Sequence, residues 1–193
     1  MKKGFTLIEL LVVIAILAVL MSVIVVTLNP AEMLKKTRDT KRISDLDALR
    51  TAINLFVTDL GSFSTGTSIT TNTCYASQIG VSNVPGCTAP YASSTSQAIN
   101  GNGWIPINFT AISSGSPLSS LPLDPSNAVG DNTTAPTGWH VYVFKANTSS
   151  STYKLMANME SSYYSNGGSG DVESKDGGSS TTVYEVGSDV TGL

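Results

Sequence analysis

The longest hydrophobic stretch of the chain runs from residue 5 to residue 28, with polar side chains only at Thr6, Glu9, Ser22 and Thr27. About 24 residues, at about 1.5 Å per residue, span roughly 36 Å, which is enough for a tilted transmembrane helix. A carboxylate at membrane depth costs roughly 2.5–3.5 kcal/mol on insertion scales, so Glu9 is expected to have a partner and a role. No small-residue cleavage site follows the stretch, which argues against an ordinary secretory signal.

A second helical pattern follows, and Asn29-Pro30 marks the junction. Pro30 cannot donate to the carbonyl of Val26, so a kink or local break is expected there. We predict that residues 30–60 continue the membrane helix of residues 5–29 as an amphipathic rod and that Gly61 stops it. The apolar stripe of this rod comprises Ile43, Leu46, Leu49, Ile53, Phe56 and Leu60. Its charged residues are expected at solvated or subunit-facing positions: Asp39, Arg42, Asp45, Asp47 and Arg50.

Residues 61–138 are rich in Ser, Thr, Asn and Gly and show no sustained period, which predicts an irregular loop region. Cys74 and Cys87 are an even pair in this region, and we expect a disulfide between them. A ring this short contributes about 3 kcal/mol in the chain-entropy model. A strand or a lid over the core is expected from Trp104, Ile105, Ile107 and Phe109.

The last segment, residues 139–193, predicts an antiparallel β-sheet. Three β-prone runs cover residues 139–145, 153–160 and 181–186, and the middle one alternates clearly between two sets of side chains. Ser- and Gly-rich turns between the runs suit antiparallel connections. The expected fold is α+β, with the long helix packed on this small sheet.

The charges are unevenly distributed around a formal net charge of −3. Five bases lie in residues 35–42, and beyond residue 50 only three lysines oppose nine acids. An acidic head is poorly suited to polyanions, so nucleic acid is not an expected partner. The positive-inside rule alone would place the head in the cytoplasm. However, long domains translocate largely regardless of charge, and a cysteine pair suits an oxidising compartment, so we expect an external head.

The first nine residues, Met-Lys-Lys-Gly-Phe-Thr-Leu-Ile-Glu, resemble the start of type IV pilins and type II secretion pseudopilins. The resemblance implies a leader of residues 1–4, removed after Gly4 by a prepilin peptidase that methylates the new N-terminal Phe5. Glu9 then becomes the fifth residue of the mature subunit. Its implied assembly role is to pair with the N-terminal ammonium of Phe5 on a neighbouring subunit.

The same resemblance implies a pilin-like fold and a pathway of assembly. Before assembly, a single transmembrane span anchors the subunit in the inner (cytoplasmic) membrane, with its head outside. A motor ATPase and an assembly platform protein then lift it into an extracellular or periplasmic filament, either a homopolymer or a mixed one. The subunit itself, the peptidase, the platform, the motor and the membrane are therefore the implied partners.

The filament could be a type IV pilus, a competence filament or a type II secretion pseudopilus, and features of the head bear on this choice. The large Ser/Thr-rich loop suits the displayed surface of a pilus. Residues 121–125, Leu-Pro-Leu-Asp-Pro, resemble a segment of major pseudopilins, although the Trp-Gly that usually follows it is absent from this chain. No cofactor is required, but Asp171, Glu173 and Asp176 lie in a Gly-rich loop and offer oxygen ligands suited to calcium. Major pseudopilins often hold calcium in a C-terminal loop, so the resemblance implies a possible calcium site there. The spacing of the three residues matches no specific calcium loop, so a solvated acidic turn is the preferred interpretation.

No catalytic constellation is evident. The single histidine, His140, lies within a predicted strand, and no phosphate-binding loop or nucleophile motif is present. We therefore expect no enzyme and interpret the chain as a structural filament subunit. The alternative is a filament-associated binding module, an adhesin or a DNA-uptake minor pilin, that uses the basic strip of residues 35–42. A membrane-anchored hydrolase is a third and weaker interpretation.

Overall fold

The computed structural model describes residues 4–64, 67–81, 84–87, 90–126 and 139–193. Residues 1–3 of the predicted leader, including Lys2 and Lys3, lie outside this range, as does the end of the predicted loop region at 127–138. The described chain contains two consecutive helices, a five-stranded sheet and a short 3-10 turn.

The first helix, α1, spans Leu7–Leu28, and the second, α2, spans Pro30–Leu60. Asn29 separates them in the left-handed conformation, with φ 39° and ψ 77°. Its side chain accepts a hydrogen bond from the Glu32 amide, so one residue ends α1 and caps α2. The predicted break is confirmed, and Gly61 ends α2 as predicted, with φ 82°.

The sheet has the order β2-β1-β3-β4-β5. Its strands are β1 (Cys74–Ala76), β2 (Tyr91–Ser93), β3 (Val143–Asn147), β4 (Thr152–Ala157) and β5 (Tyr184–Gly187). Only β1 and β2 pair in parallel, and every other neighbouring pair is antiparallel. The last three strands overlap the three predicted runs, although their bounds differ by one to four residues. The α+β, pilin-like fold is thus confirmed.

Strands β1 and β2 lie in the segment that the sequence predicted to be irregular. They were missed because each has three residues, too few for a period to show, and because every residue of β1 is buried. Tyr75 of β1 joins the core on the helix side of the sheet, while Cys74 and Ala76 join the core on the other side. A strand covered on both faces shows no alternation of polar and apolar residues.

Two apolar cores lie on opposite faces of the sheet. On the helix side, the α2 stripe from Leu46 to Leu60 packs against Tyr142, Phe144, Tyr153 and Leu155, whereas Ile43 is only partly buried and lies outside this core. The segment predicted as a strand or a lid forms no strand of the sheet and covers this core as a lid. It ends in the 3-10 turn Phe109–Ala111. Its buried residues are Trp104, Ile105, Ile107 and Phe109.

The core on the other side of the sheet contains the Cys74–Cys87 disulfide, whose two Cα atoms are 6.2 Å apart. The alternation predicted for β4 is present, but both of its faces are covered. Lys154 is fully buried there and its ammonium lies 2.8 Å from the carboxylate of Glu185 on β5. None of the described side chains of α1, up to Ile24, belongs to either core.

Candidate functional site

The N-terminal end of α1 is open to its surroundings. Gly4 and Phe5 are exposed, and a methyl group placed on Gly4 would meet no other atom within 4 Å. Nothing in the described part of the chain therefore requires a glycine at this position. A requirement for glycine would have to come from an external partner that closes around the backbone there, such as a peptidase.

Thr6 and Glu9 form a capping box at the start of α1. The backbone amide and the hydroxyl of Thr6 donate to Glu9 Oε2, at 2.8 and 2.7 Å, and the Glu9 amide donates to Thr6 Oγ1 at 3.3 Å. The carboxylate also sits at the positive end of the helix dipole. In the single chain, Glu9 therefore has a local partner that sequence reasoning did not identify, although Thr-x-x-Glu is the signature of this cap.

The side chains of α1 form an uncovered apolar surface. Residues Leu7–Ile24 have a mean hydropathy of 3.1, and none of them is buried in the chain. Within the described part of the chain, this is the one helix long and apolar enough to cross a membrane. Beside Glu9, the residues Phe5, Ile8, Val12 and Val13 border a shallow apolar groove. The arrangement offers one charged group within a surface that needs a lipid or a protein to cover it.

A second cluster, of ionic groups, lies where α2 meets the sheet. The guanidinium of Arg42 donates to both oxygens of Asp124, at 2.6 and 2.8 Å, and to Asp39 at 2.8 Å. It also bonds to Glu160, which Arg38 reaches from the side. Asp39 in turn accepts from the amides of Glu160 and Ser161, at 2.9 and 2.8 Å. The network joins α2 to the 121–126 segment and to the end of the sheet.

This network corrects the prediction of solvated or subunit-facing positions for three of the five charged residues of α2, whereas Asp47 and Arg50 have exposed side chains as predicted. Asp39, Arg42 and Asp45 are all buried, and Asp45 accepts from the Tyr142 hydroxyl at 2.9 Å. A signal was present in the sequence, because positions 39 and 42 continue the three-to-four spacing of the apolar stripe towards the N-terminus. Burial opposes ionisation of Glu160, but hydrogen bonds from Arg38 and Arg42 outweigh that effect and lower its pKa to about 2.

Four of the five bases of the proposed nucleic-acid strip are paired with acids within the chain, and Lys36 is the exception. Besides the two arginines, Lys41 pairs with Asp45, Lys35 lies 3.9 Å from Glu32, and the Lys36 ammonium lies 4.3 Å from the centre of the Tyr163 ring. Neighbouring acids thus reduce the positive field that a polyanion would meet.

Each of the three residues predicted to bind calcium accepts hydrogen bonds from two backbone amides. Asp171 accepts from the amides of Gly167 and Ser174, both at 3.0 Å. Glu173 accepts from the amides of Met159 and Asn166, also both at 3.0 Å. Asp176 accepts from the amides of Gly178 and Glu185, at 2.8 and 2.6 Å.

These contacts bear on the calcium hypothesis. Across the described residues, no group of three or more His, Cys, Asp or Glu side chains is placed to hold a metal ion. Calcium in this loop therefore stays a prediction that rests on the resemblance, and no step of the proposed mechanism depends on it.

Residues 1–25 match the family model of the prokaryotic N-terminal methylation motif. This motif is the prepilin signal of type IV pilins and pseudopilins, a structural rather than enzymatic family. The comparisons with curated proteins and with solved structures gave no match. The motif and the pilin-like fold together indicate a type IV pilin-like or pseudopilin protein.

Proposed function

We propose that the chain is a structural subunit that polymerises through α1 into a type IV-pilus-like filament. The observation that carries the proposal is the contrast in burial between the head and α1. The head buries its own apolar residues on both faces of the sheet, whereas α1 carries the methylation motif and leaves its apolar side chains uncovered. Such a helix requires lipid before assembly and neighbouring helices after it.

Processing comes first in the proposed sequence of events. A prepilin peptidase cuts after Gly4 and methylates Phe5, while a single span holds the subunit in the inner membrane with its head outside. The platform protein and the motor ATPase then move the processed subunit into the filament. The Cys74–Cys87 disulfide supports this orientation, because disulfides persist in oxidising compartments.

Glu9 sets the register between subunits in this account. Both Thr6 bonds go to Oε2, so Oε1 can accept a donor from a neighbour, the new N-terminal ammonium of Phe5. In apolar surroundings such a pair costs much to break, because separation leaves an uncompensated charge. The pair therefore acts on alignment more than on the stability of either subunit.

A filament-associated adhesin or DNA-uptake subunit is the second candidate for the function. The ion pairs along residues 35–42 weigh against nucleic-acid binding through that strip. The segment at 121–125 resembles pseudopilins, but its aspartate is explained in this chain by the pair with Arg42.

The assembly role is tested with Glu9→Ala, measured as filament yield after shearing and as the amount of subunit in the membrane. We expect normal insertion and processing and a strong loss of filaments. Val13→Ala serves as the matched control, because it removes apolar surface one turn further along α1 without removing the charge. Filament yield from Glu9→Ala equal to that of the control would rule out the assembly role of this residue.

A further inference from the structure

We propose that the first turns of α2, together with the loop beside them, bind the headgroups of anionic phospholipids before assembly. We call this surface the collar, and it consists of Met33, Leu34, Lys35, Lys36 and Tyr163. It rests on the proposed function, because it requires α1 to span a bilayer.

The length of α1 places the collar at the level of the headgroups. Its 22 residues rise about 33 Å, close to the roughly 30 Å of a hydrocarbon core. Met33 to Lys36 follow the end of α1 by five to eight residues, or about 8–12 Å along a helix axis. The headgroup layer adds about 5–8 Å on each side of the core, so a tilted helix brings these residues to the polar surface.

The apolar members of the collar continue the exposed surface of α1 past the break at Asn29. Met33 and Leu34 are 55% and 61% exposed, whereas the stripe residues Leu46 to Phe56 further along α2 are buried in the head. They lie between the membrane span and the folded head. At that depth, side chains of this kind insert at the boundary between headgroups and acyl chains.

The charged and aromatic members suit the same depth. A hydrogen-bonded contact from Ser162 to Glu32 holds the loop against α2 and brings Tyr163 over the Lys36 ammonium. Among the described ion pairs, none includes Lys36, so no carboxylate neutralises the ammonium that lies over the Tyr163 ring. Tyrosine is enriched at membrane interfaces, and lysine extends its ammonium towards phosphates.

Charge favours a lipid surface over a second copy of the chain as the occupant. Lys35 and Lys36 outnumber the single acid beside them, Glu32, so two copies meeting at this face would bring two net positive charges together. An anionic leaflet attracts each such lysine by about 1 kcal/mol, or roughly fivefold in binding.

The test places a tryptophan in the collar of the full-length chain in lipid vesicles. Leu34→Trp is compared with Leu55→Trp, which replaces a partly exposed leucine on the same helix about 32 Å further from the membrane. The vesicles contain phosphatidylcholine alone or with phosphatidylglycerol, and a headgroup-attached nitroxide quenches the fluorescence. The signal of the unsubstituted chain, from Trp104 and Trp139, is subtracted.

We expect strong quenching of Leu34→Trp and little quenching of Leu55→Trp. The quenching should be weaker in vesicles of phosphatidylcholine alone and in a chain that also carries Lys35→Gln and Lys36→Gln. The loss of each lysine should weaken the association of the collar with the anionic surface by up to about fivefold. Equal quenching of the two tryptophans in an incorporated chain would overturn the collar and leave the membrane span intact. A blue-shifted Leu34→Trp emission without quenching, dependent on protein density, would instead assign the surface to a second copy. A chain that fails to incorporate would count against the proposed function itself.

Discussion

The guanidinium of Arg42 donates hydrogen bonds to both carboxylate oxygens of Asp124, at 2.6 and 2.8 Å, and both side chains are fully buried. This bidentate pair joins positions 82 residues apart. It holds the 121–126 segment against α2, the helix that follows the membrane span. The attachment of the head to its helix thus depends on a charge cluster as well as on apolar packing.

Removing Arg42 should destabilise the head strongly. Arg42→Met removes the cationic partner of the buried carboxylates of Asp39 and Asp124. It also removes one of the two arginines that pair with Glu160. Breaking a buried pair in this way costs about 3–5 kcal/mol. The free energy of unfolding, from denaturant titration in detergent, measures the effect. Arg50→Met on the exposed side of the same helix is the control and should change it by less than about 0.5 kcal/mol. Equal effects would show that the cluster contributes nothing specific.

Glu160 should give the head an acid-sensitive stability. Its pKa falls from an ordinary 4.5 to about 2 in the folded chain. A carboxyl group with a lower pKa in the folded than in the unfolded chain stabilises the fold at pH values above its unfolded-state pKa. This stabilisation is lost as the pH falls through its folded-state pKa. Between pH 5 and pH 2 this loss is on the order of 2–3 kcal/mol.

The measurement is the free energy of unfolding against pH for Glu160→Gln and for the unsubstituted chain. The variant should be less stable at pH 7 and should show a flatter acid limb. Asp47→Asn, at an exposed pair with Arg50, is the control and should keep the steep limb. An unchanged acid limb in Glu160→Gln would contradict this role.

The disulfide should stabilise the core on the far side of the sheet. The double variant Cys74→Ala, Cys87→Ala should lose about 3 kcal/mol of unfolding free energy, because the ring no longer restricts the unfolded chain. A reducing agent should lower the stability of the unsubstituted chain and leave that of the variant unchanged. If reduction alters neither, the bond does not form in the native protein.

Gly4 should matter for processing and not for folding. Gly4→Leu places a side chain where no atom of the chain lies within 4 Å, so the unfolding midpoint should stay unchanged. A peptidase that closes around this position should no longer cut, and intact mass would show the leader retained. Normal cleavage of Gly4→Leu would show that the peptidase does not require a glycine at this position.

The helices could be predicted because their signals are local and long. The apolar run, the Asn29-Pro30 junction, the stripe from Leu46 to Phe56 and the stop at Gly61 each follow from neighbouring residues. The alternation of β4 could be predicted for the same reason. Strands β1 and β2 could not, since three residues buried on both faces or paired at an edge carry no period.

The ionic cluster was mispredicted for a different reason. A charge on an amphipathic helix is usually solvated, and only a partner can reverse that expectation. The partners, Asp124 and Glu160, lie 82 and 118 positions from Arg42, so no local pattern connects them. In contrast, the capping box of Thr6 and Glu9 is local and was within reach of the sequence.

The most direct measurement is the N-terminal sequence and intact mass of the protein from its host membranes and from sheared surface filaments. The account predicts a chain that begins at methylated Phe5 and is present in the filament fraction. The same start found only in membranes would favour a short pseudopilus or a minor subunit within the same account. An unprocessed chain that begins at Met1 would contradict it and leave a membrane-anchored protein that does not assemble.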